Sequence, residues 1–118
     1  MLTNRVTDLL GVEVPIVQAP MGWIARSALA SAVSNAGAMG IIETSSGELE
    51  VVRDEIAKMK DLTDRPFGVN IAQAFVSDPT VIVEFVIAQG VATIANFSWA
   101  ASRRPVVPRC IASVRVCL

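Results

Sequence analysis

Ile16-Val17-Gln18-Ala19-Pro20-Met21-Gly22 is a short apolar run that stops at Pro-Met-Gly, and a helix-forming segment follows it. An apolar strand that ends in a small-residue loop and then enters a helix is half of a βα unit, and the rest of the readable chain repeats that plan. Where such units line up in parallel, ligands bind outside the carboxyl ends of the strands, so this loop is the first place to look for chemistry. Pro20 brings no ladder donor and forces the chain out of the strand, while Gly22 lets the backbone come close to a flat ligand.

On the amino side, Val6-Thr7-Asp8-Leu9-Leu10-Gly11 reads as a short helical turn ended by glycine, and the first strand is expected over Pro15–Ala19. On the carboxyl side, Ser27 is expected to cap a helix whose apolar side is Leu29, Ala32 and Val33, stopped by Asn35-Ala36-Gly37. Met39-Gly40-Ile41-Ile42 is a second strand without alternation, as in a parallel sheet covered on both faces. Ser45 and Glu48 have the spacing of a capping box. Leu49, Val52, Ile56 and Met59 then recur at helical intervals, with Glu50, Arg53, Asp54, Lys58 and Lys60 on the opposite face. Phe67–Ile71 is a third strand, Asp78-Pro79 opens a buried helix stopped by Gly90, and Val91–Phe97 is a fourth strand. The strand centres Val17, Ile41, Val69 and Ile94 are 24, 28 and 25 residues apart, giving a (βα)3β order with right-handed crossovers.

Composition narrows the function classes. The chain has 118 residues, 53% of them hydrophobic, and a net charge of −1 without a basic tract, so nothing points to nucleic acid or an anionic membrane surface. Glu84 and Gln89-Gly90 break the longest apolar region before it reaches the roughly 18 residues of a membrane span. No signal-type stretch opens the sequence, which sets a cytoplasmic expectation. Histidine is absent, excluding Ser-His pairing and imidazole metal ligands from within this chain. Cys110 and Cys117 stand seven apart and read as incidental thiols, with no metal site.

Four consecutive parallel strands begin either a doubly wound sheet or a (β/α)8 barrel. Pro-Met-Gly-Trp stands where the open sheet would carry a glycine-rich phosphate loop, which favours the α/β class in the form of the N-terminal half of a TIM barrel. Residues 1–97 are therefore expected to form the partial domain. The chain changes character beyond Gly90: six Lys and Arg stand against eleven Asp and Glu up to that point, then four arginines with no lysine and no acid. Residues 98–118 are expected to be a non-homologous tail, disordered or read out of frame, because an Arg-, Ala-, Ser- and Pro-rich composition is what a GC-rich gene gives in the wrong frame. The other readings of the tail are a basic contact arm and a flexible terminus.

With Gln18-Ala19-Pro20-Met21-Gly22, Ser34-Asn35-Ala36-Gly37, Gly40-Ile41-Ile42-Glu43 and Pro66-Phe67-Gly68-Val69-Asn70-Ile71 in this order, the chain resembles the nitronate monooxygenases over roughly residues 3–90. The related flavin-dependent enoyl-ACP reductases share the general pattern. The resemblance implies an FMN-binding TIM barrel that oxidises alkyl nitronates with dioxygen. It implies that Ala19, Pro20, Met21 and Gly22 lie against the flavin ring, that Asn70 hydrogen-bonds it, and that Gln18 and Gln73 line the same pocket wall. A nitronate is already an anion, so the chemistry asks for orientation more than for a strong base. Glu43 and Thr44 are assigned to capping the next helix or closing the loop, and Trp23 to packing or shielding the flavin.

The family's substrate-serving histidine falls in the second half of the barrel, as does the phosphate site, so the chain alone is expected to bind FMN poorly and to turn nothing over. Two further readings compete. One is a non-enzymatic half barrel that self-associates through its open sheet edges, and the other a flavodoxin-like single domain whose tail closes the sheet.

Overall fold

The computed structural model describes residues 3–72, 75–76, 78–91 and 93–97; the expectations for residues 98–118 lie outside them. In chain order it contains helix α1 (Arg5–Leu10), helix α2 (Ser27–Asn35), strand β1 (Gly40–Ile42), helix α3 (Leu49–Leu62), strand β2 (Phe67–Ala72), helix α4 (Pro79–Ala88) and strand β3 (Thr93–Phe97). The strands pair in parallel in the order β1-β2-β3, with Ile42 beside Val69 and Asn70 beside Ala95. Each new strand joins beside the previous one, after a helix, with no reversal of direction across the sheet. That is how a (β/α)8 barrel grows, and the fold is the N-terminal half of one.

The expected strand over Pro15–Ala19 contracts to a single parallel bridge, Val17 to Met39. The Met39 N–H donates to the Ile16 carbonyl and the Gln18 N–H to the Met39 carbonyl, both at 2.9 Å. The next donor in a parallel ladder would be residue 20, and proline has none. The Gln18 side chain fills the gap: its Nε2 donates to the Ile41 carbonyl at 3.1 Å. Gln18 therefore completes the sheet edge rather than lining a pocket wall.

α1 forms as expected, closed by Gly11 in the left-handed conformation at φ 72°. Asn4 and Thr7 cap its start reciprocally. α2 departs from the expected pattern. Leu29 and Val33 are half-buried and Ala32 is exposed; the buried stripe is Ser27, Ala30, Ser31 and Ser34. Small residues win this face because the helix lies so close to β1 that a Cβ on Gly40 would stand 2.0 Å from the Ala30 carbonyl oxygen. The Ser34 hydroxyl serves both neighbours, donating to the Pro66 carbonyl at 3.0 Å and accepting from the Gly40 N–H at 3.2 Å.

Ser27 does not cap α2. Arg26 occupies that position without a side-chain cap, and the first N–H of the helix, on Ser27, donates to Glu55 of α3 at 2.8 Å. Burial alone would raise the Glu55 pKa, but that N–H, Lys58 at 2.9 Å and the Ser27 hydroxyl outweigh it and hold the carboxyl at about 2.

α3 and α4 supply the large apolar side chains. Val52, Ile56 and Met59 pack with Val83 and Val86 against Ile42, Val69 and Ile71 of the sheet. Burial of each such side chain contributes roughly 1.5–3 kcal/mol, so this side holds most of the hydrophobic stabilisation. Asp78 caps α4 by accepting from the Thr80 and Val81 N–H groups, with Pro79 at the first position. A smaller cluster of Leu10, Met39 and Ile41 joins α1 to the sheet.

Candidate functional site

The parallel arrangement sends every strand's carboxyl end in one direction. There the loops enclose a cavity of about 360 Å³ lined by Pro20, Gly22, Glu43, Ser45, Asn70, Ala72 and Phe75. Three of the expected site residues, Pro20, Gly22 and Asn70, thus meet at one place although 50 residues separate the first from the last. Asn70 is 5% exposed and lines the cavity, and within the described residues its side-chain amide makes no hydrogen bond, which leaves it free to meet a ligand there.

Ala19 and Met21 do not line the cavity; both are exposed. The Met21 carbonyl accepts from the Ile24 and Ala25 N–H groups at 3.1 and 2.8 Å, so the turn consumes it and the N–H is what remains to offer. Gln73 lies outside the described residues.

Four lining residues were not assigned to the pocket from sequence. Glu43 follows β1 directly and its side chain is 1% exposed, with Oε1 2.8 Å from Arg26 Nε. Its Oε2 accepts from the Ser45 N–H at 2.6 Å and from the Ser45 hydroxyl. The Ser45 capping box therefore does not form: Glu43 captures the hydroxyl, and the N-cap position of α3 falls to Glu48, which makes no side-chain cap. An acid placed immediately after Gly-Ile-Ile was the available signal, since a carboxylate at a buried strand end needs partners. Ala72 and Phe75 carry no such signal. Ala72 arrives with β2, whose last N–H donates to Thr44 Oγ1 at 3.2 Å; the Phe75 carbonyl presses on Gly47, where a Cβ would stand 2.2 Å away.

Trp23 is 72% exposed and takes φ 64°, and Arg26 lies over its ring at 5.4 Å. At the amino ends of the strands a second cleft, about 450 Å³, is lined by residues that include Lys60, Thr63, Arg65, Phe67 and Gly90. Among the described residues, no helix is long and apolar enough to cross a membrane.

Known proteins share this arrangement. The structure of FabK from Thermotoga maritima superposes with a TM-score of 0.85 at 30% identity, covering 99% of this chain and 37% of that one. Nitroalkane oxidase from Streptomyces ansochromogenes shares the fold, with a TM-score of 0.68 over 79% of this chain and 35% of that one at 23% identity. Among curated relatives, a (3aS,4S,5R,7aS)-5-hydroxy-7a-methyl-1-oxo-octahydro-1H-indene-4-carboxyl-CoA dehydrogenase of Mycobacterium tuberculosis is 42% identical over 99 residues, 84% of this chain and 27% of that protein. A nitronate monooxygenase of Pseudomonas aeruginosa is 47% identical over 70 residues, 59% of this chain and 20% of that protein. The chain thus spans less than a third of the length of these curated relatives. The family model for nitronate monooxygenase matches residues 3–101, taking in all of β3 as well as the cavity, and the chain belongs to that family of oxidoreductases.

Proposed function

We propose that this chain supplies the first half of an FMN-dependent barrel of the nitronate monooxygenase type, oxidising alkyl nitronates with dioxygen in the cytoplasm. In this reading residues 1–97 are the partial domain and 98–118 stand outside it. The observation that carries the reading is the Asn70 amide, buried at a strand end and without a partner among the described residues, facing Pro20 and Gly22 across one cavity.

The lining fits a flat heteroaromatic ring. The cavity falls near the lower end of the roughly 300–1,000 Å³ that small-molecule sites occupy. Gly22 packs closely against Ser45, and Pro20, Ala72 and Phe75 provide the apolar part of the lining. Asn70 and the Met21 N–H are the groups that would hold the ring's polar edge. When bound, the flavin would supply the electron-transfer and dioxygen chemistry. The substrate is already an anion, so the residues here orient and desolvate rather than abstract a proton. Within the described residues Arg26, beside the cavity, is engaged by Glu43 and Trp23, which leaves phosphate binding to strands 7 and 8 of a complete barrel.

An absorbance spectrum after incubation with FMN and desalting tests this, run in parallel with riboflavin, which has the ring and no phosphate. A shifted, structured flavin band of equal strength for both supports ring binding at the Asn70 face. A clear preference for FMN would place a phosphate site within this chain and defeat the division of labour. Retention of neither would mean that the ring site also needs the second half of the barrel.

The longer match to the carboxyl-CoA dehydrogenase favours a second reading, a flavin oxidoreductase acting on an acyl thioester. Turnover of nitronates against acyl-CoA substrates by a complete barrel that carries this half separates the two. The sheet edges at Val17 and β3 are where self-association would occur, and light scattering reports it.

A further inference from the structure

We propose that Glu43 is a positioning residue: its carboxylate holds the Pro20–Trp23 loop in the shape that forms one wall of the cavity. The proposal rests on reading that cavity as the ligand site, and Glu43 acts on a ligand through the loop. Its two oxygens reach the loop in different ways, Oε1 through a charge pair that lacks hydrogen-bond geometry and Oε2 through hydrogen bonds. Oε1 pairs with Arg26 at 2.8 Å, and Arg26 lies over the Trp23 ring at 5.4 Å. Oε2 accepts from Ser45, whose Oγ would stand 3.3 Å from a Cβ on Gly22. The Glu43 backbone makes a third tie, its N–H donating to the Ala25 carbonyl at 2.9 Å.

The loop needs such a hold. Trp23 sits in the left-handed region at φ 64°, which side chains rarely adopt, and at 72% exposure its indole is not fixed by burial. Arg26 over the ring is the contact that restrains it, and Glu43 is what orients Arg26. A carboxylate buried to 1% is expensive unless its charge is used. Capping α3 does not account for it, because the N-cap of α3 is Glu48, which makes no side-chain cap.

Hydrogen exchange of the full chain without flavin, followed by mass spectrometry, tests the clamp. Glu43→Gln keeps the shape and removes the charge. Exchange across residues 19–25 is expected to rise about tenfold while residues 52–59 and 67–72 keep their protection. A uniform loss of protection would show that Glu43 merely supports the fold, and an unchanged loop would show that its charge does nothing there; either overturns the proposal. Arg26→Met carries the same discrimination from a partly exposed position, should Glu43→Gln fail to fold. Flavin retention by the unmodified chain is scored separately, so a chain that retains none would show that the ring site needs the second half of the barrel and would leave the clamp result standing.

Discussion

The two ends of the sheet carry cavities of opposite character. The amino-end cleft is the larger, and three of its polar side chains are engaged by residues outside its lining: Lys60 donates to Gln89 at 3.0 Å, Arg65 pairs with Glu13 at 2.5 Å, and the Thr63 hydroxyl donates to Asn35 at 2.5 Å; Asp64 is the lining group for which the described residues supply no side-chain partner. At the carboxyl end Asn70 is buried and unanswered within the described residues, and the loops around it are held by a buried ion pair and a residue with positive φ. Volume therefore does not pick out the end proposed as the ligand site. A buried amide without a side-chain partner in the described residues and a constrained backbone are what set that end apart.

Two glycines break or sharpen this contrast most strongly. Gly47 and Gly90 both take φ 71°, but a Cβ on Gly47 would stand 2.2 Å from the Phe75 carbonyl oxygen, whereas on Gly90 it would meet nothing within 4 Å. Gly47→Ala is expected to cost more than about 3 kcal/mol and Gly90→Ala about 1 kcal/mol, the left-handed penalty alone. Urea unfolding midpoints check the pair, and equal losses would mean that the loops at the carboxyl end are not packed as described.

Acid comes next, because the start of α2 faces the same end. The Glu55 carboxyl falls from 4.5 to about 2 on folding, so its contribution is complete above pH 4.5 and drains away as the pH drops from there toward 2. Up to about 3 kcal/mol is lost over that window. Unfolding free energies measured across it should show the slope, and Glu55→Gln should flatten it.

A smaller effect is expected from Asn70→Ala, which should weaken riboflavin binding about tenfold with little change in stability, since the amide it removes has no partner in the described residues. A flavin titration beside a thermal melt separates the two. Smallest is Arg65→Ala at the amino end, where the pair is half exposed on both sides; a melt should register less than about 1 kcal/mol.

How legible these features were in the sequence depends on what decides each one. The α3 stripe of Val52, Ile56 and Met59 was plain because large apolar side chains at helical spacing have one place to go. Asn70 was legible as an amide at a strand end within a family motif. The α2 face was misread because its burial follows from closeness to Gly40, and small residues such as Ser31 and Ser34 give no apolar signal. Ser45 was misread for a different reason: two acids, Glu43 and Glu48, competed for it, and only the tertiary arrangement that brings Arg26 to Glu43 decides between them. Phe75 entered the cavity through its loop, where spacing says nothing about direction.

The Gln18 amide that stands in for the missing N–H of Pro20 couples two positions physically. A proline at 20 turns the chain out toward the cavity, and a residue at 18 with a donor of the right reach repairs the edge that the proline leaves open. A designer who replaced Pro20 with any other residue would restore the backbone donor and release position 18 to vary. One who altered Gln18 alone would leave the Ile41 carbonyl without a donor, at the point where scaffold gives way to site.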